Sequence, residues 1–417
     1  MMDALTVTVR IATALLAVGA LQPAPCQAET FVVGRDAPGV QAALDGAKAG
    51  DIVEVPSGIW AGSVVVRAAV VLRGTGGMID GGGEGTVVRV EAPGAIVEEL
   101  TIFHSGDDLR GPDSGIYVTK SAAGAVLRNN SIKQCAFGIW IHETPGAQVI
   151  GNRVHGRPEL RMTDRGNGIH LFNASNLVVR GNFVTEARDG IYVAATEDSL
   201  IENNRTERLR YGFHYMFSYR NTLKGNVSDD STVGLALMES KELVVIGNRA
   251  TGNERNGLLF RDVQRSTIRR NVLEHNGSGM FFFSSTDNVI EDNRVAHNEV
   301  GMKIWAGTRR NRISRNVILG NRQQVFYVGA EDQIWGQDSQ GNYWGDYLGW
   351  DQNGDGVGDR PHRVDSFKAS LLYRYPSAVL LLRSPAMEML AHLAESLPLL
   401  RVPTVVDVSP LAMKEGP

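Results

Sequence analysis

Glycine recurs at a nearly fixed interval through the middle of this 417-residue chain, each time at the start of a short apolar run. The steps between successive glycines are 23, 30, 22, 22, 22, 23, 22 and 22 residues. An asparagine follows about 14 residues after most of them. The glycines are Gly115, Gly138, Gly168, Gly190, Gly212, Gly234, Gly257, Gly279 and Gly301, and the asparagines are Asn152, Asn182, Asn204, Asn226, Asn248, Asn271, Asn293 and Asn316. A period of this size indicates a repeat architecture.

The runs that follow the glycines alternate and are rich in Ile, Val and aromatic residues, which predicts strands. No helical pattern and no Leu-rich horseshoe pattern lies between them. We therefore predict an all-β fold, a right-handed parallel β-helix with one coil per 22 to 23 residues. Glycine is expected at a tight corner with positive φ. Asparagine is expected at another corner, in the left-handed region and stacked into a ladder.

The segments outside the repeats complete the domain plan. Residues 29–340 are predicted to form the β-helix, with the amphipathic stretch Val40–Lys48 as a helix that caps its first coil. Residues 105–114 and 157–167 are insertions, and the second accounts for the 30-residue step. Residues 341–370 form a GNYW and Asp-rich segment, and residues 371–417 an apolar tail.

The N-terminus is typical of an export signal, predicted over residues 1–28. Arg10 precedes an apolar run from Ile11 to Leu21, and Cys26-Gln27-Ala28 supplies a cleavage site. A membrane anchor is the alternative, although the run is short for a span. Cleavage leaves Cys135 as the one cysteine, expected to be a buried thiol. A net charge of −4 gives no indication of nucleic-acid binding.

Within each strand, the first and third residues after glycine are expected to face the core, and the second and fourth to face outward. The outward set is unusually rich in aromatics, His and Met, which indicates a docking surface. The residues predicted to bind a partner here are Trp140, Phe172, Phe281, Phe283 and Trp305.

An Asp-rich loop follows the repeats. Asp351, Asn353, Asp355 and Asp359 have nearly the spacing of a calcium loop, but His362 stands where the usual Glu would be. Calcium binding and a hydrogen-bonded Asx-rich turn are both consistent with this pattern.

The tail is predicted to contain a short amphipathic helix that begins with Ser384 as its cap and Pro385 at its first position. Its apolar face includes Met389, Leu390, Leu393 and Leu397. This helix is too short to be stable alone in water, and the tail is too short to span a membrane. Folding back as a cap, lying on a membrane and docking into a groove of a membrane partner remain the alternatives, and docking is the one we favour.

The order of export signal, G-I-x-V repeats, GNYWGDY, Asp loop and apolar tail resembles the NosD family of nitrous oxide reductase maturation proteins. The resemblance covers nearly the whole chain. It implies a periplasmic protein held at the inner membrane through an ABC transporter, with a membrane subunit and an ATPase as partners. It also implies copper binding, with a copper chaperone and nitrous oxide reductase as further partners.

Copper in the Cu(I) state prefers Cys, Met and His ligands. The outward positions supply candidate ligands at His142, His170, His214, Met216 and Met238. His214 and Met216 are expected to point the same way, and Met238 to lie one coil above Met216. The alternative is that these side chains only fill the docking surface.

Three functions from different classes are therefore open. The first is an assembly factor for the copper–sulfide site of the reductase. The second is a polysaccharide lyase, hydrolase or epimerase on the same fold, and the third is a passive surface solenoid. An enzyme needs a carboxylate with Arg or Lys and His or Tyr in a groove. The outward set shows few carboxylates, so we predict a protein without catalytic activity.

Overall fold

The computed structural model describes residues 28–327, 333–336, 340–364, 371, 375–381, 384–396 and 405–412. The predicted signal peptide, apart from its last residue, and Leu397 lie outside the described residues. Among the helices of this part, none is both long and apolar enough to cross a membrane.

The chain winds into a parallel β-helix with three faces, which we call A, B and C, and the predicted fold is confirmed. Each coil contributes one short strand to each face and pairs with the coils before and after it. Faces A and B form one 25-stranded sheet, because two long strands, β2 (Ile52–Ala61) and β4 (Val71–Asp80), run across both. Face C is a 12-stranded sheet.

The strands of face A are β1 (Thr30–Val32), β2 (Ile52–Ala61), β4 (Val71–Asp80), β6 (Ile96–Glu98), β9 (Val126–Arg128), β12 (Gln148–Ile150), β15 (Val178–Arg180), β18 (Leu200–Glu202), β21 (Thr222–Lys224), β24 (Val244–Ile246), β27 (Thr267–Arg269), β30 (Val289–Glu291), β33 (Arg312–Ser314) and β36 (Ile334–Trp335). Those of face B are β7 (Thr101–Phe103), β10 (Ser131–Lys133), β13 (Arg153–His155), β16 (Phe183–Thr185), β19 (Arg205–Glu207), β22 (Val227–Asp229), β25 (Arg249–Thr251), β28 (Val272–Glu274), β31 (Arg294–Ala296), β34 (Val317–Leu319) and β37 (Tyr343–Trp344). Those of face C are β3 (Val64–Val66), β5 (Val88–Val90), β8 (Ser114–Val118), β11 (Phe137–His142), β14 (Ile169–Phe172), β17 (Asp189–Ala194), β20 (Tyr211–Met216), β23 (Val233–Met238), β26 (Asn256–Arg261), β29 (Ser278–Phe283), β32 (Val300–Ile304) and β35 (Gln323–Tyr327).

The core is a stack of aliphatic and aromatic side chains inside the coils. On face C the first and third residues after each glycine are buried, as the alternation predicts; Ile139 and Ile141 are examples. Cys135 is also buried, and burial raises the pKa of its thiol to about 11. The core extends past residue 340, since Trp344 on β37 belongs to it.

The repeated asparagines form a buried ladder, as predicted. In each coil the side-chain oxygen accepts hydrogen bonds from the backbone N and the Nδ2 of the asparagine one coil earlier. Asn182 Oδ1, for example, lies 2.9 Å from Asn152 N and 3.0 Å from its Nδ2. The expected left-handed conformation belongs to the residue before each ladder asparagine instead, such as Gly247 or Asn203. The ladder satisfies buried backbone donors at the corner, where the face strands end.

The recurring glycines do not adopt positive φ, and this expectation was wrong. They lie at the start of face C strands, where a Cβ has no room. A Cβ on Gly234 would meet the carbonyl oxygen of Gly257 at 2.6 Å and the Cβ of Ala250 at 2.8 Å. Close approach of successive coils, and not backbone conformation, therefore explains why glycine recurs there.

Both ends of the rod are covered. Helix α1 (Val40–Gly46) buries Val40, Ala43 and Leu44 against the first coils, as predicted. At the other end β38 (His362–Val364) pairs antiparallel with β39 (Val405–Asp407), and Val405 is buried in the core. The remaining elements are the 3₁₀ turns Met162–Asp164 and Pro376–Leu381 and helix α2 (Pro385–Ser396).

Candidate functional site

The outer side of face C carries two rows of side chains, fixed by the parallel register of the strands. The first row lies two residues after each recurring glycine and contains Tyr117, Trp140, His170, Tyr192, His214, Ala236, Leu259, Phe281 and Lys303. Phe326, the register partner of Lys303, continues it on the last coil. The second row, two residues further along, contains His142, Phe172, Ala194, Met216, Met238, Arg261 and Phe283. None of these side chains belongs to the main core, so the predicted outward orientation is confirmed. Tyr117, His214 and Met238 are nevertheless buried among their neighbours on this face.

The two methionines meet as expected. Met216 is the register partner of Met238 on the next coil, and His214 lies two residues before Met216 on the same strand. Ala236, the register partner of His214, is the smallest side chain in the first row. Ala236 and Met238 form a small buried cluster with Val233, and Tyr211, Met216 and Leu259 pack against it. One imidazole and two thioethers therefore lie on two adjacent coils of the same face.

His214 is held by a buried carboxylate that the repeat pattern did not predict. Asp189 Oδ2 lies 2.8 Å from His214 Nδ1, and Arg210 donates to both carboxylate oxygens, from Nε at 2.8 Å and from a terminal nitrogen at 2.6 Å. Burial opposes ionisation of Asp189, but hydrogen bonds from His214 and Arg210 prevail and lower its pKa. The one sequence signal for this pair was an Asp directly before Gly190.

The other two candidate histidines lie further along the same face and do not adjoin the methionines. His170 stacks on Trp140 with ring centroids 4.2 Å apart, and His142 stacks on Phe172 at 5.6 Å. Burial lowers the pKa of His170 to about 3, helped by the nearby Arg188. The ring is therefore neutral at physiological pH, the form that binds metals. His142 Nδ1 is buried without a hydrogen-bond partner in the described part.

The predicted partner-binding aromatics fall into two groups, separated by the coils that carry Met216 and Met238. Trp140 and Phe172 belong to the first. Phe281 and Trp305 belong to the second, on the same face as Phe283, and surround Lys303, whose Nζ lies 5.0 Å from the ring centroids of both. Burial lowers the pKa of this lysine. A half-buried cation among aromatic rings is stabilised by their π faces.

The Asp-rich loop uses its side-chain oxygens to hold its own backbone. Asp351 accepts hydrogen bonds from the N–H groups of Gly354 and Gly356, at 2.7 and 2.8 Å. Asn353, Asp355 and Asp359 likewise accept backbone N–H groups of the loop. No cluster of three or more His, Cys, Asp or Glu in the described residues is arranged to hold a metal. These hydrogen bonds are those of an Asx-rich turn, and calcium binding by the loop stays a prediction.

Helix α2 exposes the apolar face predicted for docking. Met389, Leu390 and Leu393 are 62%, 45% and 39% exposed, whereas Met387, Ala391 and Ala394 are buried. Ser384 Oγ accepts a hydrogen bond from Met387 N at 3.3 Å, so the predicted cap is present. The helix thus has two apolar faces, one buried and one exposed among the described residues.

These features define a class: a parallel β-helix, closed at both ends, with His, Met and aromatic side chains on one outer face. Two curated relatives match this chain along most of their length, and both are described as probable ABC transporter binding protein NosD. The relative from Pseudomonas aeruginosa is 40% identical over 379 residues, covering 85% of this chain and 86% of its own. The relative from Stutzerimonas stutzeri is 35% identical over 373 residues, covering 86% of each chain. The model of the family described as periplasmic copper-binding protein (NosD) matches residues 150–349.

The chain therefore belongs to the NosD family, as the resemblance implied. This supports a periplasmic accessory role related to an ABC transporter. Among solved structures, it is similar to the A-module of a mannuronan C-5 epimerase from Azotobacter vinelandii. The identity is 16% and the TM-score 0.54, over 73% of this chain and 88% of that one. At this identity the likeness concerns the fold alone.

Proposed function

We propose that this protein carries copper as Cu(I) in the periplasm for the assembly of the copper–sulfide site of nitrous oxide reductase, in association with an ABC transporter. A copper chaperone supplies the metal, and the reductase receives it. The membrane subunit of the transporter anchors the protein through the exposed face of helix α2, and the ATPase acts behind that subunit.

One observation carries the proposal: His214, Met216 and Met238 lie on adjacent coils of one outer face. Thioether and imidazole donors suit Cu(I) better than the hard cations that prefer carboxylates. Met216 and Met238 also belong to a small apolar cluster with Ala236, which gives the two thioethers apolar surroundings. His142 and His170 lie on the same face and extend the row of candidate ligands toward the first aromatic group.

The same face argues against sugar chemistry as the main role. The carboxylate, arginine and histidine that an acid–base mechanism needs do occur, as Asp189, Arg210 and His214. However, Asp189 has no exposed surface and is engaged by both other groups. A general base has to reach its substrate. We therefore propose an accessory protein that catalyses no reaction.

Cu(I) titration of the mature protein under anaerobic conditions, in competition with a chromogenic chelator, tests the metal site. We expect the variant His214→Ala, Met216→Ala, Met238→Ala to bind Cu(I) at least about tenfold more weakly, a loss of about 1.4 kcal/mol or more. His155→Ala serves as the control, because His155 is exposed on face B, away from this site. Unchanged affinity in the triple variant would rule out the site.

A second measurement tests the biological role. Deletion of the gene for this protein should yield nitrous oxide reductase that is still exported but lacks copper at its copper–sulfide site. The triple variant should reproduce this defect, and His155→Ala should not. Normal metal content in the deletion strain would contradict the proposed function.

A further inference from the structure

Asp189 is a buried charged residue on the outer side of face C. The equivalent position on neighbouring coils is uncharged. Its register partners on the next two coils are Tyr211 and Val233, so this position can hold a neutral side chain. Burying an ion pair is costly, and replacing it by well-packed apolar residues is often neutral or stabilising. The rod itself therefore does not require Asp189, Arg210 and His214 at this place.

The geometry of the group is specific. Asp189 Oδ2 receives both His214 Nδ1, at 2.8 Å, and a terminal nitrogen of Arg210, at 2.6 Å, while Oδ1 receives Arg210 Nε. The Arg210 guanidinium also lies 4.4 Å over the ring of Tyr211. The Arg210 guanidinium, itself held over the Tyr211 ring, thus fixes the orientation of the carboxylate. Toward the histidine it offers only an acceptor, so His214 Nδ1 has to carry the proton.

We infer that Asp189 is a positioning residue for the metal ligand His214, holding its Nδ1 as the protonated nitrogen and reserving Nε2 for Cu(I). A metal-binding histidine generally donates its second ring N–H to a carboxylate or carbonyl, which fixes both tautomer and ring orientation. Arg210 balances the carboxylate charge, so that Asp189 orients the imidazole without itself competing as a ligand. The inference rests on the proposed function in that copper is the cargo.

Nitrogen-15 NMR of histidine side chains in the metal-free protein tests the first step, with His214→Gln used to assign the signal among the nine histidines. In the unaltered protein His214 is expected to be protonated at Nδ1 only. Asp189→Asn should give a mixture of the two tautomers. A His214 protonated at Nε2 in the unaltered protein overturns the inference, and this measurement needs no variant of Asp189 to fold.

Cu(I) affinity tests the second step. We expect Asp189→Asn to weaken binding by about 10- to 100-fold. The matched control is Glu98→Gln, a change at another buried carboxylate on face A. Glu98 accepts Arg73 Nε at 2.6 Å and Arg128 Nε at 2.5 Å and has no histidine partner. Glu98→Gln should change neither the His214 tautomer nor the Cu(I) affinity.

The outcomes separate this inference from the proposed function. If His214→Ala weakens Cu(I) binding but Asp189→Asn does not, the positioning role is overturned and the copper site stands. If His214→Ala itself has no effect, the copper site fails, and the role of Asp189 in metal binding fails with it. A drop in affinity equal to that of Glu98→Gln would show a general loss of stability and would also overturn the inference.

Discussion

The carboxylate of Asp407 ends the asparagine ladder by accepting two hydrogen bonds from Asn342, from its backbone N at 2.7 Å and from its Nδ2 at 3.0 Å. The two residues are 65 positions apart in sequence. Trp344 Nε1 donates to the same oxygen at 2.9 Å. The Asp407 carboxylate thereby takes the place of the next ladder asparagine, and the Val405–Asp407 part of the tail packs on the end of the rod.

Replacing Asp407 should therefore expose how much the rod depends on its C-terminal closure. Asp407→Ala leaves buried donors of Asn342 and Trp344 unpaired, each at a cost of about 1–3 kcal/mol. Asp407→Asn retains an acceptor of the kind that the ladder uses and should be much milder. Urea unfolding followed by tryptophan fluorescence measures both. Equal losses for the two variants would show that the charge, and not the ladder geometry, is what matters.

The close approach of coils at Gly234 leads to a second prediction. Gly234→Val should destabilise the protein by about 1–3 kcal/mol or more, because the added side chain overlaps the Gly257 carbonyl and Ala250. Gly247→Asn is the control. Gly247 has a φ of 65° and open space around it, and Asn203 occupies the equivalent position of an earlier coil. Thermal unfolding should show a large shift for the first variant and almost none for the second.

These two cases mark what the sequence could and could not predict. The period of glycine and asparagine fixed the coil length, the face C strands and the ladder, since each coil repeats the same contacts with its neighbour. The hydrogen bonds between Asp407 and Asn342 occur once and join residues far apart in sequence, so the repeat period could not predict them. Asp189 and Arg210 also occur once. The physical reason for the glycines could not be predicted, because lack of room beside a neighbouring coil and a requirement for positive φ both select glycine.

The Asp-rich loop should behave as a turn that needs no metal. Asp351→Ala removes the acceptor of the Gly354 and Gly356 N–H groups and should lower the melting temperature. A calcium chelator should leave the melting temperature of the unaltered protein unchanged. A drop with chelator that added calcium restores would instead establish the calcium site at Asp351, Asn353, Asp355 and Asp359.

Stability should fall below neutral pH in part through His170. Its pKa is about 3 in the folded protein against an ordinary value near 6.5. The unfolded chain therefore takes up the proton first as the pH falls below 6.5, and the folded state loses up to about 1.4 kcal/mol for each pH unit until the folded pKa is reached. His170→Phe keeps a ring against Trp140 and removes this titration. Denaturant unfolding of the metal-free proteins at pH 7 and pH 5 should show a smaller loss for His170→Phe, and an identical loss would contradict the assignment.

Docking to the transporter is best tested on the surface of helix α2. Truncation after Tyr375 would be ambiguous, because it also removes the Val405–Asp407 strand that closes the rod. The double variant Met389→Asp, Leu393→Asp changes two exposed side chains and should leave the melting temperature within about 2 °C, since exposed substitutions cost little. We expect this double variant to abolish co-purification with the transporter membrane subunit, because charge on the apolar face of a docked helix is strongly disfavoured.

Ile59→Asp is the control, since Ile59 is 62% exposed on β2, on the opening coils of the rod. Retained association in the double variant, with the rod intact, would place the docking surface elsewhere, and the aromatic groups of face C would be the next to test.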